Sequence, residues 1–384
     1  MRFEFATAAR VVFGPGSLDE LGPVAAGLGR RALLVTGRAP ERAAPARERL
    51  EKAGLAVGVF AVAAEPTVAD VRRGVDAGRV LAADVVVACG GGSAIDGGKA
   101  IAALLGNGGD PLDYLEVVGR GRPLARPCVP FVAVPTTAGT GSEVTRNAVL
   151  ASPEHGVKAS LRSARMLPSA AIVDPDLLLG SPPHVLAASG LDAFSQLVEP
   201  LVSARANPLV DALCREGLAR SARSLRRAFE GDESEGVSTD LALASLFGGL
   251  ALANAGLGAV HGFAAPAGGL FAAPHGAVCA ALLPAVLRVN LRALGARAPA
   301  SAALDRYREI AAIVTGRPGA DAAAGLAWVE DLVRALAIPG LAHWGAARGD
   351  VPDLVARAAR ASSMRGNPIE LTAAELTEIA EASL

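Results

Sequence analysis

The stretch GLDAFSQLVEP, residues 190–200, sets Asp192 and Gln196 four residues apart in a helical pattern, so both side chains face the same way. A carboxylate and an imidazole at that spacing would offer two ligands to one metal ion, and here the second position carries an amide instead. A second constellation lies upstream. In ADVVVACGGGSAIDGGKAIAALL a strand pattern runs into Gly90, Gly91 and Gly92, and Ser93 opens a helix. Three glycines let backbone amides approach a ligand closely, and a helix N-terminus favours an anion, so a phosphate or pyrophosphate is the expected guest. Asp96 and Lys99 would face one side of that helix together, and Lys99 is one of only three lysines in a chain that otherwise uses arginine. Neither familiar phosphate motif is present: a Walker loop needs glycine where the chain has Ser93 and a hydroxyl where it has Ala100, and Ile95 breaks GxGxxG. A plain strand-to-helix turn is the competing reading. A third motif, PTTAGTGSEVT from Pro135 to Thr145, follows the strand pattern FVAV. Ligands of α/β sheets bind at the carboxyl ends of strands, so two such loops at neighbouring strand ends favour a shared nucleotide site over a self-bonded Ser/Thr turn.

The elements that must position these residues divide the chain in two. Up to about residue 178 the runs RALLVTG, VGVFAV, ADVVVACGGG, FVAVPTT and AAIVDP alternate with helical patterns, which predicts βαβ units and a parallel sheet. Beyond residue 180 the strand signals stop, and NPLVDALCREGLARSARSLRRAF, LDRYREIAAIVTG, AGLAWVEDLVRALA and DLVARAARAS read as helices. Thr372 and Glu375 in TAAE form a capping box for a last helix. The division is therefore an α/β domain over residues 1–180 and an all-helical domain over residues 181–384, with SPP at residues 181–183 as a short hinge and the cleft between the halves as the expected ligand site.

Bulk properties narrow the function. At 384 residues the chain exceeds one ordinary core. Its 37 Lys and Arg against 38 Asp and Glu leave a net charge of -1 with no basic patch, which disfavours nucleic acid and favours a small-molecule partner. The four cysteines, Cys89, Cys128, Cys214 and Cys279, make no C-x-x-C pair, which argues against a disulfide framework and a cysteine-based zinc site and fits a reducing cytoplasm. The start MRFEFATAARVVFG lacks a secretion signal. The uncharged stretch LALASLFGGLALANAGLGAV, residues 241–260, matches a membrane span in length, but its Ala and Gly content and its lack of flanking Lys/Arg or aromatic belts predict a helix buried in the protein.

Taken in order, GGGSAIDGGK, PTTAGTGSEVT, VDP at Val173–Pro175, GLDAFSQLVEP and PHG at Pro274–Gly276 resemble the iron-containing alcohol dehydrogenases, from FGPGSLDEL near residue 13 to the C-terminus. The resemblance implies a dehydroquinate synthase-like architecture: an N-terminal α/β dinucleotide-binding domain and a helical C-terminal domain with a divalent metal, iron or zinc, beside the nicotinamide. Carried over by motif, pyrophosphate binding falls on Gly91, Gly92 and Ser93 with Asp96 nearby, and the adenine and nicotinamide side falls on Thr136, Thr137 and Ser142 with Lys158 after them. Members that prefer NAD often end the first strand with an Asp that binds the ribose. Here VTG puts Gly37 there and Arg38 after it, which removes a repulsive carboxylate and offers a guanidinium to a 2′-phosphate, so NADP is placed ahead of NAD.

The implied metal ligands fall on Asp192, Gln196, His261 and His275, three of them matching the family and Gln196 replacing a His. A second imidazole common in the family, thought to relay the alcohol proton, is replaced by Ala265. Three protein ligands suffice for catalytic zinc, and an amide oxygen is a weak neutral donor, so a weaker metal site than the full set gives is expected. The implied reaction is hydride transfer between nicotinamide C4 and an aldehyde or ketone, with the metal polarising the oxygen and, failing a metal, His261 or His275 donating a proton. That second route resembles maleylacetate reductases. A lyase of the dehydroquinate synthase type and a nucleotide-binding protein without turnover are the alternatives. Phe194, Phe263 and the small residues of AAPAGG suggest an apolar pocket for a neutral aldehyde or short alcohol, and the family suggests a homodimer paired through edge strands.

Overall fold

The computed structural model describes residues 2–384. The chain forms two compact units. One comprises Ala6–Thr137 and Gly141–Leu179, and the other Gly180–Leu384 together with the stretch up to Phe5 and Ala138–Thr140.

The first unit is built on a six-stranded sheet in the order β1-β8-β5-β4-β2-β3, comprising β1 (Val11–Phe13), β2 (Arg31–Thr36), β3 (Ala56–Ala61), β4 (Val85–Gly90), β5 (Phe131–Pro135) and β8 (Ala170–Val173). Every pairing in it is parallel. Strand β4 is buried along its whole length, as a strand covered on both faces must be. Its side chains alternate between two cores. Val86 and Ala88 pack with Ile95, Ile101 and Val71 on one face, while Val85, Val87 and Cys89 pack with Leu21, Ala46 and Leu50 on the other. The helix Val68–Leu81 starts where the sequence allows, at Thr67, whose hydroxyl accepts from the Asp70 amide in a capping box. Strands β6 (Asn147–Ser152) and β7 (Val157–Arg162) form a separate antiparallel hairpin that the sequence reading does not contain.

In the second unit every regular element is a helix among the described residues. Its core gathers Phe194, Leu197, Val198 and Leu201 of the helix Pro183–Val202 with Val260 and Phe263 of the helix Ala259–Phe271 and Val278, Leu282 and Leu283 of the helix His275–Arg297. Three helices are long and apolar enough to cross a membrane, but 78%, 61% and 72% of their apolar windows lie inside the protein, so that character is spent on the core. The stretch 241–260, expected as one helix, is two: Glu235–Ala255 ends at Gly256, whose φ of 70° interrupts it, and a new helix starts at Ala259. The capping box at Thr372 is present and opens Ala373–Ala382.

Candidate active site

In the α/β unit the chain ends of three adjacent parallel strands carry the predicted nucleotide residues. Thr36 of β2 pairs with Cys89 of β4, and Gly90 pairs with Pro135 of β5, so Gly37, Gly91–Ser93 and Thr136–Thr137 leave the sheet side by side. The Thr136 amide donates to the Gly90 carbonyl at 3.0 Å. A Cβ on Gly91 would lie 3.3 Å from both the hydroxyl and the methyl of Thr137, so the two loops touch and a side chain here would press on Thr137. Gly91 caps the helix Gly92–Asn107 with no side chain of its own to bond the first amides, the Ala94 and Ile95 amides turning to its carbonyl at 3.0 and 3.1 Å, so this helix N-terminus is suited to an anion.

Asp96 and Ser142 act as a pair. The Ser142 hydroxyl donates to Asp96 Oδ1, and the Val149 amide donates to Asp96 Oδ2 at 2.9 Å. Lys99, which the sequence places beside the phosphate, is buried instead and belongs to the framework. Its ammonium donates to the carbonyls of Ser142 (2.8 Å) and Asn147 (2.5 Å) and to Thr145 Oγ1 (2.9 Å), pinning the PTTAGTGSEVT loop from below. An unbranched stem with three donors explains why lysine stands here in an arginine-rich chain. Lys158 Nζ is 2.5 Å from Glu65 Oε2, and Arg38 is exposed, with Nε donating to the Ala63 carbonyl at 3.2 Å.

In the helical unit three helices converge on a second cluster. Asp192, His261, His275 and Cys279 each present one ligand atom, all within 4.8 Å of one another. His261 Nε2 lies 3.3 Å and His275 Nε2 3.8 Å from Asp192 Oδ1. Asp192 Oδ1 and His261 Nε2 are fully enclosed, yet neither makes a hydrogen bond. Two buried polar atoms left without a hydrogen bond are costly, and a shared cation removes that cost, so this donor set fits the family's metal. Gln196 is buried on the same helix face, its Oε1 also unpartnered and 3.3 Å from where a Cβ on Gly248 would stand.

Glu199 holds the arrangement in register, and sequence reasoning passed over it. One oxygen accepts the Val260 amide at 2.7 Å, capping the helix Ala259–Phe271, and the other lies 2.7 Å from His261 Nδ1. A carboxylate on Nδ1 fixes the proton there and turns the Nε2 lone pair toward Asp192. Asp192, Gln196 and Glu199 occupy positions i, i+4 and i+7 of one helix stripe, so the signal was inside the quoted motif. Cys279 also lies outside the sequence reading, since no C-x-x-C spacing includes it; it sits four residues after His275 on one helix, with Sγ 3.6 Å from His275 Nε2. Phe194 and Phe263, expected to wall the pocket, are fully buried core residues, Phe194 lying 5.7 Å from the Trp328 ring.

The electrostatics agree with a cation site. Burial works against charge on His275, but Cys279 and Asp192 outweigh it and raise the imidazole to about 9. His261 is likewise held well above its usual value, burial being overcome by Cys279, Asp192 and Glu199. Burial would raise Asp192, and the two imidazoles bring it below its ordinary value instead.

The family model for iron-containing alcohol dehydrogenase matches residues 8–175, and that for the Fe-containing alcohol dehydrogenase family, C-terminal, matches residues 186–384. The chain belongs to the iron-containing alcohol dehydrogenase family. It is 36% identical to 1,3-propanediol dehydrogenase of Klebsiella pneumoniae, across 93% of this chain and 92% of that one. It is 33% identical to lactaldehyde reductase of Escherichia coli (strain K12), across 91% of each. A crystal structure of 1,3-propanediol oxidoreductase superposes with a TM-score of 0.91 at 33% identity, covering all of both chains. That of sulfoacetaldehyde reductase from Bifidobacterium kashiwanohense in complex with NAD+ gives 0.87 at 28%, covering 100% of this chain and 99% of that one. Membership makes this chain an oxidoreductase of alcohol and aldehyde groups and implies NAD(P) and a divalent metal. The α/β plus helical architecture expected from the motifs is the family's own.

Proposed function

We propose that this enzyme interconverts short, uncharged alcohols and aldehydes, with NADP used ahead of NAD and a divalent metal held by Asp192, His261 and His275, Gln196 offering a fourth, neutral oxygen. The observation that carries the reading is the buried, unbonded pair of Asp192 Oδ1 and His261 Nε2 at 3.3 Å. Support for the substrate class comes from the relatives, which include a 1,3-propanediol dehydrogenase and a lactaldehyde reductase. When bound, the nicotinamide supplies or accepts hydride at C4 and the metal supplies the positive charge that polarises the substrate oxygen.

The chain's own groups do the rest. The amides of Gly91, Gly92 and Ser93 receive the pyrophosphate at the helix N-terminus. Thr136, Thr137 and Ser142 line the loop beside them, held by Asp96 and Lys99 from behind. Lys158 contributes positive charge on β7, and Arg38, exposed after β2 where a carboxylate would repel a 2′-phosphate, favours NADP. Glu199 keeps the proton on His261 Nδ1, so Nε2 serves only as a donor of its lone pair. Ala265, one turn beyond His261 on the same helix, leaves no imidazole to relay the alcohol proton inward. We place the enzyme in the cytoplasm as a homodimer, with neither nucleic acid nor membrane as partner.

The test follows NADPH and NADH oxidation over a panel of short aldehydes, before and after EDTA, with bound metal measured by mass spectrometry. Near-stoichiometric metal and EDTA-sensitive turnover, faster with NADPH, are expected. Turnover that survives metal removal would move the chemistry to a histidine proton donor, and nucleotide binding without any turnover would overturn the reading.

A further inference from the structure

Cys279 has no part in the roles assigned so far. It is fully buried on the helix His275–Arg297, one turn beyond His275, and its sulfur faces the carboxylate and imidazoles of the metal cluster. Nothing else in that cluster explains a sulfur. A fully buried cysteine in an apolar core behaves as a small hydrophobe, but this one ends 3.6 Å from His275 Nε2 and within 4.8 Å of one ligand atom each of Asp192 and His261, whose Oδ1 and Nε2 make no hydrogen bond.

We propose that Cys279 is a ligand of the metal in place of Gln196, supplying an anionic donor that the amide cannot, with the substrate oxygen entering as a fifth ligand, and that its sulfur makes this a site for zinc in preference to ferrous iron. The inference rests on the reading that Asp192, His261 and His275 bind a metal at all.

Geometry supports it first. Bonds of about 2.0 Å to nitrogen or oxygen and 2.3 Å to sulfur put the donors of a tetrahedral zinc site roughly 3.3 to 3.6 Å apart. The separations here are 3.3 Å for His261 to Asp192, 3.8 Å for His275 to Asp192 and 3.6 Å for Cys279 to His275, with the remaining pairs within 4.8 Å, so the donors need only draw in slightly around an ion. Donor chemistry supports it second. Asp192 alone gives one negative charge against a dication, and an amide oxygen from Gln196 adds none, whereas cysteine binds metals as a thiolate and adds a second. A soft sulfur beside imidazole nitrogens favours zinc over iron, both by ligand softness and by the general affinity order of the divalent ions. The departure at Gln196 is thereby compensated: the ligand lost from one helix turn is regained one turn beyond His275 on another helix.

The test uses the full-length protein stripped of metal and reloaded with zinc or cobalt(II). X-ray absorption at the zinc edge of the wild type is expected to show one sulfur neighbour near about 2.3 Å beside nitrogen and oxygen. Cobalt(II) should give a sulfur-to-metal charge-transfer band in the near ultraviolet that disappears in Cys279→Ser while the visible ligand-field bands remain. Zinc affinity of that variant should fall by more than the roughly 10- to 100-fold that loss of an outer-shell partner costs, and its preference for zinc over ferrous iron should shrink. Zinc surrounded by nitrogen and oxygen alone, or a charge-transfer band that survives the substitution, overturns the inference and leaves the metal site standing. Failure of the wild type to bind either ion overturns both. The wild-type absorption spectrum decides the matter even if the variant does not fold.

Discussion

Beside the buried Lys99 ammonium lies Glu143, itself buried and held by burial at about 7, with its own backbone amide and Lys99 pulling the other way. Burial also lowers Lys99, while Asp96 and Glu143 draw it back up. The pair therefore anchors the nucleotide loop at an electrostatic cost that depends on pH. Below the ordinary value of 4.5 both the folded and unfolded chain hold the Glu143 proton and stability has no slope from it. Between 4.5 and about 7 the folded state keeps a proton that the unfolded state has lost, so stability falls as pH rises. Above that window the slope vanishes. Across it wild type should lose roughly 3 kcal/mol relative to Glu143→Gln, which keeps the shape without the titration. Urea unfolding of both proteins from pH 5 to 8 checks this, and parallel curves would mean that Glu143 is ionised throughout. Lys99 also shows where sequence reasoning stopped at this scale. Its rarity flagged it correctly as special, but spacing on a helix gives the face and not the depth, and the face Lys99 occupies looks inward to the loop rather than outward to a phosphate.

At the scale of elements, the metal cluster depends on how closely two helices approach. Gly276 follows His275 at the start of the helix His275–Arg297, and a Cβ there would come within 2.6 Å of the Ala188 carbonyl on the helix Pro183–Val202 and 3.3 Å of Asp192 Cβ. Alanine would gain up to about 1 kcal/mol of helix propensity. It would also force a backbone carbonyl to move, and overpacking of that kind costs about 1 to 3 kcal/mol, so the loss wins. Gly276→Ala should therefore melt at lower temperature and bind zinc more weakly, because His275 and Cys279 are carried away from Asp192, while NADPH affinity stays as it was. A higher melting temperature would show that the close approach does not govern the site. The same scale explains what the sequence could convey. Strands β2, β4, β5 and β8 are largely apolar runs, buried nearly throughout and legible as such, whereas β6 and β7, NAVLAS and VKASLR, bury only alternate residues and are broken by polar ones, so their pattern is weaker. Strand β1 contributes only Val11–Phe13 and gives too little pattern to find. Asp192, His261 and His275 are legible through family motifs; helical spacing puts Glu199 and Cys279 on the same faces, but their part in the cluster depends on three helices from separate stretches converging.

For the molecule as a whole, the two kinds of ligand group segregate by unit. Asp192, His261, His275 and Cys279 all lie within Gly180–Leu384, and Gly37, Gly91–Ser93, Thr136–Thr137, Ser142 and Lys158 all lie within Ala6–Thr137 and Gly141–Leu179. Each unit has its own core, the helical one around Phe194 and Phe263 and the α/β one on both faces of β4. A ligand that binds only the folded state slows opening of the structure it touches by mass action, about 2.7 kcal/mol at a hundredfold excess over Kd. Hydrogen exchange on the whole chain should therefore separate the two. Zinc is expected to slow amide exchange by about 100-fold in Pro183–Val202, Ala259–Phe271 and His275–Arg297, with little change in the sheet. NADPH is expected to do the reverse, protecting Gly92–Asn107, β5 and the loop to β6 and leaving the three helices nearly unchanged. The reciprocal pattern would place metal and nucleotide in separate cooperative units of one enzyme. Zinc protection that appears in β4, β5 and Gly92–Asn107 while sparing the three helices would instead remove Asp192, His261 and His275 as the ligands.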